Sequence, residues 1–527
     1  MKNFLLLALM LLVACEKSND HSILRATDSE TSTEPPQELF NPNEPVIFGK
    51  RIENPYSVEN MRAAFNSLSA ETRGDLSADD VVITTHKYLK FIFRNDEQYD
   101  IINRDASITL FFYPIDLEIE RSGYYEDEGS EDGIRIRYAS ISVDKMELVN
   151  SCGVEFVTLA NMFMPDEDGY REAGFATRVG AVLTAEQIDL LIEKSIRLTG
   201  NENRLSTSQG ITRASVRPSG TIKIETGRST SVQGAIGLQG VEIRAVRLLK
   251  VSKGFTNASG YYLCDKAFSN NWSYELSFER YDFDINDGRN GKFCYINKAT
   301  MSLWSFTITA SAGKGYYIAT IFRAAHHYYY EDIKGLRRPP QNSFWKTQMK
   351  IAAMYESDPN SNGSTMMARR FLGMGNAIHI YNPNRETEEI YNTVIHELAH
   401  SSHWDLSKSD YNRTDLDAGR VVESWAVGVA DVLTKMKYPS YKGRYYGNDQ
   451  LYTQIVVDMI DTEADASTNY GYNIAGGDNV SGYTIRQIED CLLGARSFDT
   501  WRANIYNRYP GNGTRGNLQK LFNSWYR

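Results

Sequence analysis

Three of the eight histidines in the chain fall within the stretch NTVIHELAHSSHWDL, residues 392–406. His396 and His400 are four residues apart, and Glu397 directly follows the first of them. On an α-helix, residues at positions i and i+4 lie on one face, with their Cβ atoms about 6 Å apart. Two imidazoles in that arrangement can bind one zinc ion, and the intervening glutamate then lies beside the ion as a general base. The spacing predicts a catalytic zinc site.

The element that must carry these residues is a helix. Ile390, Val394 and Leu398 recur at helical spacing in the residues around the motif. This pattern predicts a helix over about residues 387–404, with both histidines on one face.

His403 is the next histidine, but it is not predicted to bind the same ion. It lies seven positions after His396, a rise of about 10.5 Å along a continuous helix, which is too far for both to reach one ion. The metzincin peptidases break this helix at a glycine three residues after the second histidine, and His403 itself occupies that position. Leu406 stands where their third ligand would follow. The metzincin arrangement is therefore excluded, and His403 is interpreted as solvent-facing, with a place in the cleft as the alternative.

A second helix is predicted after the polar segment SKSDYNRTD, over the stretch AGRVVESWAVGVADVL. Asp417 is a suitable N-cap for it, and Val422, Trp425 and Val429 lie on one apolar stripe. Glu423 lies in its first turns, where an acidic side chain has little reason to be buried unless it has a partner. Glu423 is therefore expected to have a buried partner, and the alternative is an ordinary glutamate on the protein surface.

The fragments HELAH and ESWA together resemble the gluzincins, a group of zinc peptidases that includes thermolysin and the membrane alanyl aminopeptidases. In gluzincins the second helix supplies a glutamate ligand from an E-G-x-A motif. The resemblance therefore implies that Glu423 is the third zinc ligand, beside His396 and His400, and that Glu397 is the general base. A Tyr or His from the helical C-terminal half stabilises the oxyanion in these enzymes, and Tyr483 is the candidate in this chain.

The resemblance extends over residues 311–527, for which it implies a zincin-like fold with a small sheet and a mostly helical C-terminal half. Zincins hold an extended peptide antiparallel to an edge strand above the active-site helix. The segment GNAIHIYNP immediately precedes that helix, and its residues 377–380 are expected to form the edge strand. Aminopeptidases of the group use a G-x-M-E-N strand whose glutamate binds the substrate amino terminus, and GMGNAIHI lacks that acid. An endopeptidase is therefore expected rather than an exopeptidase.

The N-terminal sequence resembles that of a bacterial lipoprotein. Its apolar run is too short to span a bilayer and ends in LVAC, which matches a lipobox. Residues 1–15 are therefore expected to be a signal peptide, with Cys15 as the acylated first residue of the mature protein. Residues 16–45 are rich in Ser, Thr, Asp, Glu and Pro and are expected to be a disordered tether. The mature protein is expected to be lipid-anchored to the bacterial cell envelope, at the outer membrane or the cell surface.

Two further domains are expected between the tether and the predicted catalytic domain. Residues 46–205 contain strand-like segments and an amphipathic helix that starts at Thr184, which indicates a mixed α+β domain. Residues 206–310 alternate short β-type segments with turns and resemble the regulatory-like β-sandwich found beside carboxypeptidases. The whole chain is predicted to be multidomain α+β, and it resembles zincin-type lipoproteins of Bacteroidota.

Composition narrows the range of partners. A net charge of -10 is poorly suited to binding a phosphate backbone, so no nucleic-acid partner is expected. No CxxC pair occurs, which argues against a cysteine zinc site. Cys264 and Cys294 are either a disulfide or two free buried thiols. No feature of the sequence indicates an oligomeric state.

Three functions are compatible with these features. The first is a lipid-anchored, secreted zinc endopeptidase that acts on a peptide or protein substrate. The second is a cell-surface lipoprotein that binds protein or glycan and carries an inert zincin domain, and the third is a zinc hydrolase with a non-peptide substrate. The intact Glu397 favours the first function, because an inert domain has no need of a general base.

Overall fold

The computed structural model describes residues 40–525, apart from residues 73–76, 128, 130–132, 168–174, 177–181, 203–215, 228–233, 269–271, 299–302, 344–346, 368–375, 412–414, 444–449 and 463–478. The described part of the chain is an α+β structure with twelve α-helices and six sheets, and the predicted class is confirmed. None of its helices is both long enough and apolar enough to cross a membrane. The predicted signal peptide, Cys15 and most of the predicted tether lie outside the described residues, so the lipid anchor stays a prediction.

The first region of the fold contains eight strands and five helices among its described residues. The strands are β1 (Ile47–Arg51), β2 (His86–Phe93), β3 (Leu117–Arg121), β4 (Gly123–Asp127), β5 (Arg135–Ser142), β6 (Glu155–Met162), β7 (Phe175–Ala176) and β8 (Val182–Leu183). The helices are α1 (Val58–Thr72), α2 (Ala78–Val81), α3 (Asp96–Asn103), α4 (Met146–Ser151) and α5 (Ala185–Leu198). β2 lies between β5 and β6 in an antiparallel sheet. The helix predicted to start at Thr184 is α5, and Thr184 is its N-cap, which forms a capping box with Gln187.

The second region contains two antiparallel-rich sheets that contact each other. Its strands are β9 (Ser219–Glu225), β10 (Ala235–Gly237), β11 (Glu242–Arg247), β12 (Lys250–Phe255), β13 (Tyr261–Leu263), β14 (Ser273–Ser277), β15 (Phe283–Asp287), β16 (Lys292–Asn297) and β17 (Phe306–Ile308). Tyr262 on β13 meets Tyr274 on β14, with ring centroids 6.1 Å apart, inside one large apolar core. Phe40, from the predicted tether, packs against the same core. Cys264 and Cys294 are buried free thiols.

Two sheets run across the predicted domain boundaries. β4 pairs with β16, and β15 pairs in parallel with β18 (Met349–Ala353). Lys350 on β18 also forms a buried ion pair with Asp96 on α3. Removing one partner of such a pair would leave an uncompensated buried charge, so the contact ties the two segments together. The described chain from Phe40 onward is one compact unit, and β18 is held in place by both upstream regions.

The sheet beside the candidate site has four strands in the order β15-β18-β20-β19, which includes β19 (Gly363–Thr365) and β20 (Ile378–Ile380). β20 pairs in parallel with β18 and antiparallel with β19, so both of its edges are occupied. The prediction that residues 377–380 form the edge strand is therefore wrong. Among the described strands the edges of this sheet are β15 and β19. β19 is the edge next to β20, and it lies inside a polar segment that the sequence does not mark as a strand.

The last region is mostly helical in its described part. Its helices are α6 (Lys314–Tyr330), α7 (Thr387–Ser407), α8 (Leu416–Lys437), α9 (Ile455–Ile460), α10 (Ile485–Glu489), α11 (Phe498–Arg508) and α12 (Leu518–Ser524). α7 packs against α6, α8, β19 and β20. His327 on α6 is buried, and its Nδ1 lies 2.7 Å from the Tyr391 hydroxyl on α7. Burial lowers the pKa of His327 to about 4, so this histidine is a neutral packing residue.

Candidate metal centre

The two long helices predicted from the sequence are present and pack against each other. α7 is buried along most of its length, and Ile390, Val394 and Leu398 all lie in the core. α8 begins behind the N-cap Asp415, whose carboxylate accepts hydrogen bonds from the Asp417 and Ala418 N–H groups at 3.0 Å. The predicted cap, Asp417, is therefore wrong by two residues, because the earlier aspartate reaches the free N–H groups of the first turn.

Three donor atoms from these helices meet at one place. His400 Nε2 lies 3.0 Å from His396 Nε2 and 3.0 Å from Glu423 Oε2, and His396 Nε2 lies 3.2 Å from Glu423 Oε2. Ligand atoms bound to zinc at about 2.05 Å in a tetrahedron are about 3.3 Å apart. The three atoms therefore lie close to three corners of such a tetrahedron. His396, His400 and Glu423 could hold a metal ion, in agreement with the predicted ligand set.

The charge on this cluster favours a cation. His396, His400 and Glu423 are 8%, 1% and 4% exposed. Burial acts to raise the pKa of Glu423, but the imidazoles of His400 and His396 outweigh it and hold that pKa well below its usual range. Glu423 is therefore an anion at neutral pH. An anionic oxygen and two imidazole nitrogens that converge away from water are stabilised when a positive charge lies among them, so the donor set suits a metal ion.

Glu397 lies beneath the edge strand. It is 5% exposed, and its Oε2 accepts a hydrogen bond of 2.6 Å from the Thr365 hydroxyl on β19. Gly363 passes so close that a Cβ atom there would lie 2.8 Å from Glu397 Oε1. Sequence analysis missed Thr365 and Gly363, because a strand of three residues in a segment rich in Ser and Asn leaves almost no alternation to detect.

A buried hydrogen bond holds the two ligand helices together one turn before His396. Asn392 Nδ2 on α7 donates to Asp431 Oδ1 on α8 at 3.1 Å. Asp431 is 2% exposed, and burial raises its pKa to about 6 against the opposing effects of Lys435 and Asn392. The contact fixes the spacing of the helices, and nothing in the sequence pairs these two residues.

Tyr452 is another residue that sequence analysis missed. Its ring lies nearly parallel to that of His396, with centroids 6.1 Å apart and an interplanar angle of 27°. It precedes α9 in a segment without periodic apolar residues. The chain contains 33 tyrosines, so composition could not single out this one.

His403 does not join the cluster, as predicted, but its environment differs from the prediction. It is 3% exposed, and its ring centroid lies 5.2 Å from that of Tyr411. Burial and the neighbouring His400 lower the pKa of His403 to about 3. The interpretation of His403 as solvent-facing is therefore wrong, because α7 is covered on this side as well.

Tyr483 is not among the residues that the structure brings together at the cluster. It is 2% exposed, and its N–H donates to the Met459 carbonyl at 3.1 Å. The charged neighbour that acts on its hydroxyl is Arg515. None of the contacts described for Tyr483 reaches the candidate ligands, so its role at an oxyanion stays a prediction.

No family model matches the chain, and no curated protein matches its sequence. Among solved structures, the chain is similar to a 9R-lipoxygenase from Cyanothece, with 12% sequence identity and a TM-score of 0.12. The match covers 48% of this chain and 33% of the lipoxygenase. A similarity of this size carries no information about fold or function.

Proposed function

We propose that the chain is a zinc-dependent endopeptidase of the gluzincin type. The observation that carries the proposal is the buried triangle of His396, His400 and Glu423, with Glu397 next in sequence to the first ligand. Two imidazoles and one carboxylate are a ligand set of catalytic zinc sites, which keep a fourth position open. A structural zinc site would be closed by a fourth protein ligand, and no described His, Cys, Asp or Glu joins this cluster as a fourth member.

In the proposed hydrolysis, the metal and the protein side chains would have different tasks. Zinc held by the three ligands would polarise the scissile carbonyl and make a water more acidic. Glu397 takes the proton of the attacking water and delivers it to the nitrogen of the leaving amine. The oxyanion needs a further hydrogen-bond donor, and Tyr452 is a stronger candidate than Tyr483 because its ring stacks on His396.

The orientation of the backbone groups on β19 follows from the hydrogen bonds at its two ends. The Met366 N–H donates to the Ala377 carbonyl at 2.7 Å, and the Tyr381 N–H donates to the Asn362 carbonyl at 2.9 Å. In an antiparallel pair, residues alternate between those whose N–H and C=O bond the partner strand and those whose groups point away from it. Residues 362, 364 and 366 therefore bond the neighbouring strand.

The intervening residues, Gly363 and Thr365, direct their N–H and C=O groups toward the edge of the sheet. An extended peptide can pair with such groups as an added strand. A peptide in that position would run past the Glu397 carboxylate, which lies beneath the same strand. Recognition would then be mostly through the substrate main chain, and sequence preference would be broad.

We expect cleavage of a test peptide to depend on alternate amides of its backbone. Methylation of a nitrogen whose N–H pairs with β19 removes a donor and adds bulk, so kcat/KM should fall by at least about tenfold. Methylation of the next nitrogen along, which faces away from β19, should change kcat/KM by less than about twofold. A series of peptides with one methylated amide each provides the measurement, and equal effects at every position would contradict pairing with β19.

The proposed function itself is tested with the purified mature protein. Metal analysis should give about one zinc per chain. The zinc-loaded protein should cleave an unfolded protein at internal bonds, a chelator should stop the reaction, and added zinc should restore it. Cleavage that persists after chelation, or a zinc-loaded protein that cleaves nothing, would contradict the proposal.

A further inference from the structure

We propose that Thr365 is a positioning residue that fixes the Glu397 carboxylate to the edge strand, so that the general base and the substrate-binding strand move as one unit. The inference rests on the proposed function. It goes beyond that function by assigning a task to a side chain that touches neither the candidate ligands nor, by its hydroxyl, the substrate main chain.

The hydroxyl contact is short and directed at a carboxylate. Thr365 Oγ1 lies 2.6 Å from Glu397 Oε2 and 3.1 Å from the Glu397 backbone carbonyl oxygen. Hydrogen bonds from a hydroxyl to a carboxylate have this length and are about twice as strong as bonds between neutral groups. The bond uses one lone pair of Oε2, so both carboxylate oxygens keep the capacity to accept a proton. The hydroxyl therefore restrains the rotation of the carboxylate at one of its oxygens.

The backbone of β19 also limits the rotation of the Glu397 side chain. At Gly363, two residues before Thr365, a Cβ atom would lie 2.8 Å from both Cγ and Oε1 of Glu397 and 2.9 Å from Thr393 Cγ2. The backbone of β19 therefore approaches the Glu397 side chain so closely that any side chain at residue 363 would clash with it. With Gly363 against one side and the Thr365 hydroxyl on Oε2, the carboxylate has little room to rotate.

The short strand β19 contacts Glu397 through the Thr365 side chain and can bind the proposed substrate through its backbone. The N–H and C=O groups of Gly363 and Thr365 point along the plane of the sheet, toward the position proposed for the substrate. Side chains of a strand stand roughly perpendicular to that plane, so the Thr365 hydroxyl can reach Glu397 on the helix below while its backbone pairs with a peptide. A peptide that pairs with β19 would therefore be held by the same strand that restrains the base.

The test compares variants that differ at the hydroxyl. Thr365→Val keeps the β-branched shape and removes the donor, and Thr365→Ser keeps the donor. We expect Thr365→Val to lower kcat by about 10-fold to 100-fold with KM within about twofold of the wild type, since small misplacements of a catalytic group cost this much. Thr365→Ser should recover most of the lost kcat. Zinc content should match the wild type in both variants.

Thr320→Val provides a matched control. Thr320 is 1% exposed on α6, which carries none of the candidate ligands, and its hydroxyl donates to the Tyr316 carbonyl at 2.8 Å. This variant loses a buried threonine hydroxyl of the same kind and should keep wild-type kcat. If Thr365→Val does not fold, Thr365→Ala removes the same donor without depending on the fit of the valine methyl group.

A readout without turnover separates this inference from the proposed function. Hydrogen exchange of the amides in residues 361–367 should be at least about fivefold faster in Thr365→Val than in the wild type or Thr320→Val, because the strand loses its attachment to α7. Unchanged exchange would overturn the inference even if the wild type proves inactive on every peptide. Unchanged kcat in Thr365→Val, a Thr365→Ser variant as slow as Thr365→Val, or a change in KM alone would also overturn it, while cleavage by the wild type would leave the endopeptidase proposal intact.

Discussion

Glu397→Gln should retain about one zinc per chain and lose at least about 10²-fold in kcat for peptide hydrolysis, the contribution of a general base. The amide has the shape of the carboxylate but cannot accept the proton of the attacking water at neutral pH. Because Glu397 is not one of the three clustered donors, its replacement should leave metal binding intact. Metal analysis of the purified variant and steady-state kinetics on one peptide provide the two measurements.

Glu389→Gln is the matched control for that experiment. Glu389 lies on the same helix, two turns before Glu397, and its half-exposed carboxylate pairs with Arg385 at 3.0 Å. Its kcat should stay within about twofold of the wild type, because exposed ion pairs contribute little. If Glu397→Gln were as active as Glu389→Gln, Glu397 could not be the base, and the mechanism would have to be abandoned.

Glu423→Ala should weaken zinc binding by more than about 100-fold, since even groups that only contact a metal ligand change affinity by 10-fold to 100-fold. The substitution removes one of three donors and the negative charge that offsets the ion. The Nε2 atoms of His396 and His400, which are 3.0 Å apart, would remain as the only two donors and could bind zinc only weakly. Competition with a chelator of known affinity measures the change.

His403→Ala tests whether the third ligand has been chosen correctly. His403 lies three residues after His400 and is buried, so its loss should lower thermal stability through the cavity that it leaves. Its zinc affinity should nevertheless stay within about threefold of the wild type, because the His403 ring packs on Tyr411 and is not one of the three clustered donors. Equal loss of zinc in His403→Ala and Glu423→Ala would show that Glu423 is not the third ligand.

The ligand helices were predictable because their signals are local. The apolar spacing of Ile390, Val394 and Leu398 predicts α7, and the four-residue separation of His396 and His400 places both imidazoles on one face. Both features depend only on the geometry of one helix. The choice of Glu423 depended on the gluzincin resemblance, because the distance between two helices is set by packing that the sequence does not show.

The edge strand β19 was not predictable, because the signal that defines it is not local. β19 has three residues, and its strand character comes from pairing with β20, whose own apolar residues Ile378 and Ile380 gave the stronger signal. Which of two adjacent segments lies at the edge of a sheet is decided by tertiary pairing rather than by composition. The contact between Thr365 and Glu397, which are 32 residues apart, follows from that pairing.

The predicted domain boundaries also could not account for strand pairing between distant parts of the sequence. Changes in sequence pattern predict boundaries near residues 205 and 310, whereas β4 and β16 share a sheet although more than 160 positions separate them. The buried pair of Lys350 and Asp96 joins segments that are still further apart in sequence. Long-range pairing of this kind leaves no periodic trace in either segment, so it becomes visible only in the folded structure.

The most direct test of the endopeptidase proposal is to map cleavage sites. A mixed peptide library is incubated with zinc-loaded wild-type protein and, in parallel, with zinc-loaded Glu397→Gln, and new amino termini are identified by mass spectrometry. The proposed mechanism predicts internal cleavage products with the wild type and at least about 10²-fold fewer with the variant at equal zinc content. The same products from both proteins, or none from the zinc-loaded wild type, would contradict it.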